Sequence, residues 1–366
     1  MRIVFLCTEL SGYMNACLRE LASRREVYLF VSYLPPHRDA PFDNEQFAWM
    51  PRQFVWRSDA DLDSLGAHLD AFKPDAIILA GWKIAGYRKL ALKWKSRAIR
   101  IMTMDNPWRG TLRQWAGVIS APFFARRLAD AIWIPGERQA QFAHKLGFKK
   151  VIYGLYSCDY PRFSAIFNAR TQERRNAERS FLFVGRMIKI KGISTLISAY
   201  KLYRHRTPNP WPLICCGHGP LVPLLDGVPG VAVHGFLQPD ELPGIMANAS
   251  CFVLPSEFDP FPLVILEATT AGLIILASDS VGNVPHLVQN NYNGFTFRTG
   301  DVEELSRLME HVSLSSDEEL NRMAKASSSL ARQFTPERWA DTLLDFVDRN
   351  GRNEKAGFMA AARRQS

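Results

Sequence analysis

Short apolar runs alternate with amphipathic stretches of helix length from one end of the chain to the other. The apolar runs are rich in β-branched and aromatic residues and are bounded by turn residues, which is typical of buried strands. Alternation of this kind predicts parallel sheets, because the crossover helices must cover both sheet faces. The predicted strands are residues 3–7, 27–31, 76–79, 99–102, 131–134, 181–184, 213–216, 231–234, 251–254 and 274–277.

The alternation is interrupted once, by the polar and basic segment NARTQERRNAERS. A chain of 366 residues is also too long for one domain of ordinary size. We therefore predict two doubly wound α/β domains on either side of a linker. The predicted parts are an N-terminal domain at 1–165, a linker at 166–180, a C-terminal domain at 181–335, a helix at 336–348 that returns toward the first domain, and a basic tail at 349–366.

Composition excludes several classes of protein. Hydrophobic residues make up 47% of the chain and charged residues only 22%, which excludes a disordered chain. No apolar run reaches the ~18 residues of a spanning helix. The six cysteines are scattered without metal-ligand spacing, so we expect a reduced, cytoplasmic protein that holds no metal.

A formal net charge of +9 points to anionic partners. Three kinds fit this charge: nucleic acid, phosphorylated small molecules and an acidic membrane face. No recognised nucleic-acid-binding module is present, so we expect no nucleic-acid partner.

One cationic loop follows a predicted strand in FLFVGRMIKIKGISTL. The strand ends at Gly185, the loop carries Arg186, Lys189 and Lys191, and a helix opens near Gly192. Side-chain charges and helix amides together suit a diphosphate. An ordinary strand–loop–helix turn with solvated cations is the alternative.

Two carboxylates flank a Pro-Phe-Pro helix start in PSEFDPFPLVILEATT. Glu267 falls in the first turns of a very apolar helix, where a carboxylate is costly unless donors such as ribose hydroxyls satisfy it. Asp259 precedes the helix and could either bind a ligand or cap the helix. The sequence leaves both roles of Asp259 open.

These two segments, with CCGHGP, VHGFLQPDEL and NNYNGFTF, resemble the C-terminal half of family 4 glycosyltransferases. The resemblance implies the GT-B fold, in which two Rossmann-like domains face each other across a cleft. It also implies transfer with retention of configuration. A nucleoside diphosphate sugar would be the co-substrate, with no further cofactor and no metal. The acceptor would be a hydroxyl of a saccharide or lipid-linked saccharide, in polysaccharide or glycolipid synthesis.

The resemblance also implies roles for single residues. Arg186 and Lys191 match the pair that neutralises the donor diphosphate, Glu267 matches the acid that holds the ribose, and Asp259 stands where the donor sugar is contacted. The remaining donor-binding residues are Phe261, Leu263 and Val264 at the helix start, the last two through their amides, and Gly12 after the first strand, where a glycine lets the backbone approach the phosphates.

The chain departs from the family at several positions, among them His286, which stands in a region where the family often has Glu. Asp259 replaces the usual Glu, and Pro262 lacks an N–H. Asp105, in IMTMDNPWRG, stands near the family's His and could stabilise the oxocarbenium or position the acceptor, or could simply be a turn residue. These departures keep two alternatives open: a non-catalytic nucleotide-sugar-binding subunit and a GT-B nucleotide-sugar epimerase.

The first domain carries two basic and apolar features. Six cations fall between Arg88 and Arg100, interleaved with Tyr87, Leu90, Leu92 and Trp94, and WAGVISAPFFARR spans residues 115–127. With the basic tail, they predict reversible binding to an anionic bilayer at the cytoplasmic membrane face. A solvated charged face over an ordinary core is the alternative.

Overall fold

The computed structural model describes the backbone of residues 1–35, 44–173 and 179–362, with the side chains of those residues other than 170–173 and 352–362. The chain divides into two compact units. The N-terminal unit comprises residues 1–157 and 336–366, and the C-terminal unit comprises residues 158–335. Each unit contains one fully parallel sheet.

The N-terminal sheet has seven strands in the order β3-β2-β1-β4-β5-β6-β7. Its strands are β1 (Arg2–Leu6), β2 (Tyr28–Tyr33), β3 (Gln53–Val55), β4 (Ala76–Leu79), β5 (Ile99–Thr103), β6 (Ala131–Trp133) and β7 (Val151–Ile152). Its helices are α1 (Gly12–Ser23), α2 (Leu62–Phe72), α3 (Ala85–Lys93), α4 (Leu112–Ser120), α5 (Ala125–Leu128) and α6 (Glu137–Lys145). Short 3-10 turns cover Asn44–Phe47 and Asp59–Asp61.

The period-two geometry of β1 explains why this sheet is buried on both faces. Ile3 and Phe5 enter one core cluster, whereas Val4 and Leu6 enter a second cluster on the opposite face. An almost continuous apolar strand is what a sheet covered on both faces requires.

The C-terminal sheet has six strands in the order β10-β9-β8-β11-β12-β13. Its strands are β8 (Phe181–Val184), β9 (Leu213–Cys216), β10 (Val231–His234), β11 (Cys251–Leu254), β12 (Ile274–Ser278) and β13 (Gly294–Phe297). Its helices are α7 (Tyr160–Glu173), α8 (Ile193–Arg206), α9 (Leu242–Ala247), α10 (Leu263–Thr270), α11 (Val284–Leu287), α12 (Val302–Leu314) and α13 (Asp317–Ala331). Lys189–Lys191 and Val222–Leu224 are 3-10 turns.

The last helix, α14 (Pro336–Ala362), is part of the N-terminal unit. Trp339 stacks between Phe5 and Trp133, with centroid distances of 5.8 and 5.1 Å, and its indole N–H donates to the Leu155 carbonyl at 2.8 Å. The helix predicted at 336–348 continues beyond its expected end to residue 362. Residues 363–366 and the side chains from 352 onward, which carry much of the predicted basic tail, lie outside the description.

The division between the units differs from the predicted linker. Helix α7 runs through residues 166–173, and residues 174–178 of the predicted linker lie outside the described residues. The basic composition obscured an apolar helical face, because Phe163 and Ile166 are buried in the C-terminal unit. Phe167 packs so closely on Gly272 that a Cβ there would approach its ring to 2.4 Å. The observed division therefore falls after residue 157.

Candidate functional site

The C-terminal sheet reverses its strand order between β8 and β11. From β8 the chain adds β9 and β10 on one side, and from β11 it adds β12 and β13 on the other. Open parallel sheets bind ligands beyond the carboxyl ends of their strands at such a switch point. The loops that follow β8 and β11 therefore form the candidate site, and most of the residues singled out in the sequence lie on them.

Glycine holds the loop after β8 close to its neighbour. Gly192 follows Lys189–Lys191 with φ of 72°, and a Cβ there would lie 1.9 Å from the carbonyl oxygen of Pro255. Only glycine accommodates that approach and that backbone angle. The Glu257 amide also donates to the Ile190 carbonyl at 2.8 Å. The loops after β8 and β11 are thus packed directly on each other.

The backbone of the CCGHGP motif packs against the same loop after β8. The Met187 amide donates to the His218 carbonyl at 2.7 Å. Gly219 has φ of 150°, and a Cβ there would lie 2.5 Å from the Met187 carbonyl oxygen. Arg186 projects from this supported segment and is exposed.

Lys191 and Asp259, predicted separately from two loops, form an ion pair. Their side chains are only 18% and 11% exposed, so the pair is largely withdrawn from water. The Asp259 backbone is fixed on its other side, where its carbonyl accepts the Gly282 amide at 2.8 Å. Pro262 is the N-cap of α10, and that cap forms no side-chain hydrogen bond. The N-cap residue of α10 is therefore Pro262 rather than Asp259.

The start of α10 offers backbone donors more than side chains. Phe261 is buried with its ring 6.3 Å from that of Phe334, so its side chain serves the core. Leu263 and Val264 are the first two residues of the helix and are half-buried. Amides in the first turn of a helix have no partner within the helix, which suits them to a phosphate. Pro262 contributes no such donor, as expected.

Glu267 stands in the middle of α10 and is half-buried. Its carboxylate forms no hydrogen bond or ion pair with the described side chains. Burial and, to a smaller extent, the negative charge of Asp159 together raise the pKa of Glu267 to about 7. A carboxylate in this environment is costly unless donors reach it, and a pair of ribose hydroxyls would supply them.

Asp159 is a neighbour of this site that the sequence did not reveal. It precedes α7, and its Oδ1 accepts the Arg162 amide at 3.4 Å. The prediction had assigned residues up to 165 to the first domain, which separated Asp159 from Glu267. An Asp directly before the Tyr-Pro start of a helix was the available signal.

In the N-terminal unit, Asp105 follows β5 and makes more contacts than a turn residue needs. Its Oδ2 accepts the Tyr156 hydroxyl at 3.2 Å, and its carbonyl accepts the Gln139 amide group at 3.0 Å. Tyr156 packs edge-on against Tyr13, with ring centroids 5.3 Å apart. Burial raises the pKa of both tyrosines well above the usual range, so both remain neutral donors.

The N-terminal sheet reverses its order between β1 and β4, and a cavity of about 120 Å³ lies there. Thr8, Glu9, Tyr13, Ala80 and Tyr156 are among the residues that line it. Gly12, the first residue of α1, is half-buried and directly precedes Tyr13, which lines the cavity. The helix α1 begins without a side-chain cap. The two carboxylates expected to be catalytic, Asp105 and Asp259, therefore belong to different units.

The structure corrects the interpretation of the basic stretch around α3. Tyr87, Leu90 and Trp94 are core residues of the N-terminal unit and cannot contact a bilayer. Of the interleaved apolar residues only Leu92 is exposed. The alternative prediction, a solvated face over an ordinary core, describes α3 better.

Arg100 is also not a surface cation. It is 1% exposed, and its Nη2 and Nε donate to the two carboxylate oxygens of Asp130 at 2.6 and 3.1 Å. Lys93 is paired with Asp70 at 2.5 Å. Two of the six cations expected to face a membrane, Lys93 and Arg100, thus form ion pairs with carboxylates of the same unit.

Other features of the chain add little to the site. All six cysteines lie in the described part of the chain, where they are buried and not joined by disulfides. Within residues 1–35, 44–173 and 179–362, no group of three or more His, Cys, Asp or Glu is arranged to hold a metal ion. In the same part of the chain, no helix combines the length and apolar character needed to cross a membrane.

Residues 166–329 match the family described as "Glycosyl transferases group 1". The matched segment contains the loop after β8, the Lys191–Asp259 pair and Glu267. A 95-residue segment is 40% identical to the sulfoquinovosyl transferase SQD2 of Arabidopsis thaliana, over 24% of this chain and 18% of that protein. An 86-residue segment is 35% identical to the UDP-Gal:alpha-D-GlcNAc-diphosphoundecaprenol alpha-1,3-galactosyltransferase of Escherichia coli, over 24% of this chain and 21% of that protein.

The chain therefore spans only about a fifth of these two curated relatives. A solved structure extends the likeness to nearly the whole chain. The Anabaena protein HepE, crystallised with UDP and glucose, superposes with a TM-score of 0.69 at 19% identity, covering 95% of this chain and 99% of that one. The chain has the GT-B α/β fold, and the sequence similarities support a glycosyltransferase family for it.

Proposed function

We propose that this protein transfers a sugar from a nucleoside diphosphate sugar to a hydroxyl of a saccharide or lipid-linked saccharide, with retention of configuration. The observation that carries the proposal is the C-terminal switch point. There, a cationic loop, the Lys191–Asp259 pair and the half-buried Glu267 lie inside the segment that matches glycosyltransferases of group 1.

The donor diphosphate is assigned to Arg186, Lys191 and the first amides of α10. An ammonium group has three N–H donors, so Lys191 can bind a phosphate oxygen while Asp259 fixes its position. Preorganised cations stabilise the charge that develops on the leaving diphosphate. For this reason, we propose that the reaction needs no divalent metal.

The donor contains two sugars, the ribose of the nucleoside and the sugar to be transferred. We assign the ribose to Glu267 and the transferred sugar to Asp259. Glu267 would accept hydrogen bonds from the ribose, and Asp259 would orient the transferred sugar beside the diphosphate. The leaving phosphate would take the acceptor proton on the same face, as the resemblance implies for a retaining enzyme. Asp105, held by Tyr156, would stabilise the oxocarbenium or position the acceptor.

A lipid-linked acceptor is supported by one relative. The Escherichia coli protein that matches 86 residues of this chain is named for a sugar on diphosphoundecaprenol. An acceptor of that class would place the reaction at the cytoplasmic face of a membrane. We propose it, with peripheral binding to anionic lipid, as the finer form of the function.

A transfer assay tests the proposal. Purified protein is screened against UDP-, GDP- and ADP-sugars by thermal shift, and donors that raise the Tm are offered to saccharide and lipid-linked acceptors in excess chelator. We expect turnover without metal and a product whose anomeric configuration, read by NMR, matches the donor.

Other outcomes identify the alternatives. Donor binding without turnover on any acceptor would favour a non-catalytic nucleotide-sugar-binding subunit. Conversion of the donor sugar without an acceptor would indicate an epimerase. Activity that chelator abolishes and manganese restores would contradict the assigned role of the cationic loop.

A further inference from the structure

One exposed segment of the N-terminal unit combines apolar side chains with a single sign of charge. Residues 106–129 contain four arginines and no Asp or Glu. In the structure, this segment forms α4, the turn after it and α5. Surfaces designed for solubility intersperse both signs of charge, so an exposed segment of one sign is a candidate interaction surface.

The apolar side chains of this segment form a continuous ridge. Leu112, Trp115, Ile119 and Phe123 are 89%, 47%, 73% and 79% exposed. The spacing of the first three places them on one face of α4, and Phe123 follows directly after the helix. Large exposed apolar residues grouped in this way mark an interaction surface, unlike single exposed ones. We call these four residues the apolar ridge.

The ridge is held in its exposed position. Gln114 bridges two backbone groups, since its Nε2 donates to the Pro107 carbonyl and its Oε1 accepts the Arg109 amide, both at 2.8 Å. The Trp115 ring meets Trp108 edge-on at a centroid distance of 5.2 Å. These contacts fix the orientation of α4, so exposure of the ridge is a property of the fold.

The cations are arranged around the ridge. Arg109 precedes α4, Arg113 lies in its first turn, and Arg126 and Arg127 lie in α5; all four are exposed. Lys145 adds a fifth charge, with its Nζ 5.4 Å from the centre of the Trp115 ring. An apolar face with a cationic rim matches the boundary between acyl chains and anionic headgroups.

We propose that the apolar ridge inserts into the acyl boundary of an anionic bilayer, with the surrounding arginines on the headgroups. The occupant is therefore a lipid membrane, and the contact is made by α4 and the turn after it. Helix α3, whose apolar residues are mostly buried, makes no such contact. The inference rests on the proposed function in one respect: membrane binding would bring the enzyme to a lipid-linked acceptor.

Vesicle flotation tests the inference. The variant Leu112→Ser/Ile119→Ser/Phe123→Ser replaces three of the four ridge residues. All three are exposed, so the fold and the donor-induced thermal shift should be unchanged. Leu314→Ser is the matched control, because Leu314 is 66% exposed in the other unit. We expect the wild type and Leu314→Ser to float with phosphatidylglycerol vesicles and the triple variant to lose at least ~10-fold in partitioning.

Insertion itself is measured with brominated lipids. Quenching of tryptophan fluorescence in the wild type should fall sharply in Trp115→Phe, because Trp115 is the one tryptophan of the ridge. Arg113→Gln/Arg126→Gln/Arg127→Gln should lose the preference for phosphatidylglycerol over phosphatidylcholine.

Three results would overturn the inference. These are absence of flotation at every anionic lipid content, equal flotation of the triple variant, and self-association that the triple variant abolishes. The last would make the ridge an interface between copies of the chain. Each can occur while donor turnover on a soluble acceptor is intact, so failure of this inference is distinguishable from failure of the proposed function.

Discussion

The two units share a strand arrangement but differ in chemistry at their switch points. In the C-terminal unit the reversal between β8 and β11 is lined by cations and carboxylates, with Lys191 paired to Asp259 and Glu267 left without a partner among the described side chains. In the N-terminal unit the reversal between β1 and β4 borders a cavity near the carboxylate of Asp105. Its lining includes Tyr13, Tyr156 and Glu9 and, among the described residues, no Lys or Arg.

Under the proposed function, the difference fits the two units to different halves of the reaction. A diphosphate requires positive charge held in place, and the C-terminal loops supply it. A neutral sugar needs hydroxyl donors and aromatic faces, and these are what Tyr13 and Tyr156 offer. Because one strand order supports both kinds of surface, function lies in the loops rather than in the sheets.

The largest effect is expected from removing Trp339, the tryptophan that joins α14 to the N-terminal core, because this change should destabilise one unit and leave the other intact. Trp339→Ala deletes a buried ring stacked on Phe5 and Trp133. We expect a loss of about 3–5 kcal/mol in the free energy of unfolding of the N-terminal unit. Amide hydrogen exchange in β1 reports it directly, and native protection of β1 in the variant would contradict the role of α14.

The charge of the C-terminal loop is tested by three single variants. Arg186→Ala and Lys191→Ala should each lower donor turnover by roughly 100-fold, because each removes a preorganised contact to the diphosphate. Lys189→Ala is the matched control, an exposed cation in the same loop. If Lys189→Ala lowers donor turnover as much as the other two variants, the loop acts only through its overall charge. If none of the three lowers it, the loop does not bind the diphosphate.

Glu267 sharpens the comparison through pH. The pKa of Glu267 is raised from 4.5 in the unfolded chain to about 7 in the folded protein. The folded protein is therefore most stable at low pH, where the carboxyl group is protonated in both states. Stability falls as pH rises from about 4.5 through 7, because the unfolded chain loses this proton first. Glu267→Gln should therefore be more stable than the wild type at pH 8, by roughly 1–3 kcal/mol, since one unit of pKa shift corresponds to about 1.4 kcal/mol. Chemical denaturation at pH 4 and pH 8 measures this, and an equal difference at both values would refute it.

The smallest expected effect concerns the neutral tyrosines. Tyr156→Phe removes the hydroxyl that donates to Asp105 at 3.2 Å. A positioning role predicts a fall of about 10-fold in kcat with little change in donor KM, whereas a merely structural role would change both or neither. Tyr28→Phe, at an exposed tyrosine of the same unit, provides the reference.

The sequence predicted five strands to the residue: β4, β8, β9, β10 and β11. Strands β4 and β11 are wholly buried, whereas β10 is largely exposed, so the apolar run itself rather than burial was the signal. Strands β3 and β7 were not predicted, since two or three residues carry too little periodicity, and the outer strand β13 was also missed. Helix α7 was taken for a linker because its cations outweighed its apolar face.

For the candidate site, sequence reasoning identified residues and missed their neighbours. Lys191, Asp259 and Glu267 were found from local motifs, and the first two meet as an ion pair. Asp159 and Tyr156 were missed, because the effect of Asp159 on the pKa of Glu267 and the hydrogen bond from Tyr156 to Asp105 join distant parts of the chain. Arg100 was misassigned for the same reason, since its partner Asp130 belongs to another loop.

The most direct test of the central claim is isothermal titration of a nucleoside diphosphate into the 366-residue chain. UDP, GDP and ADP are the probes, and Lys191→Ala is compared with Lys189→Ala. The account predicts that at least one of the three binds the wild type and Lys189→Ala with closely similar Kd. Lys191→Ala should bind it about 100-fold more weakly. Failure of all three to bind, or equal binding by both variants, would contradict a donor site at the C-terminal switch point.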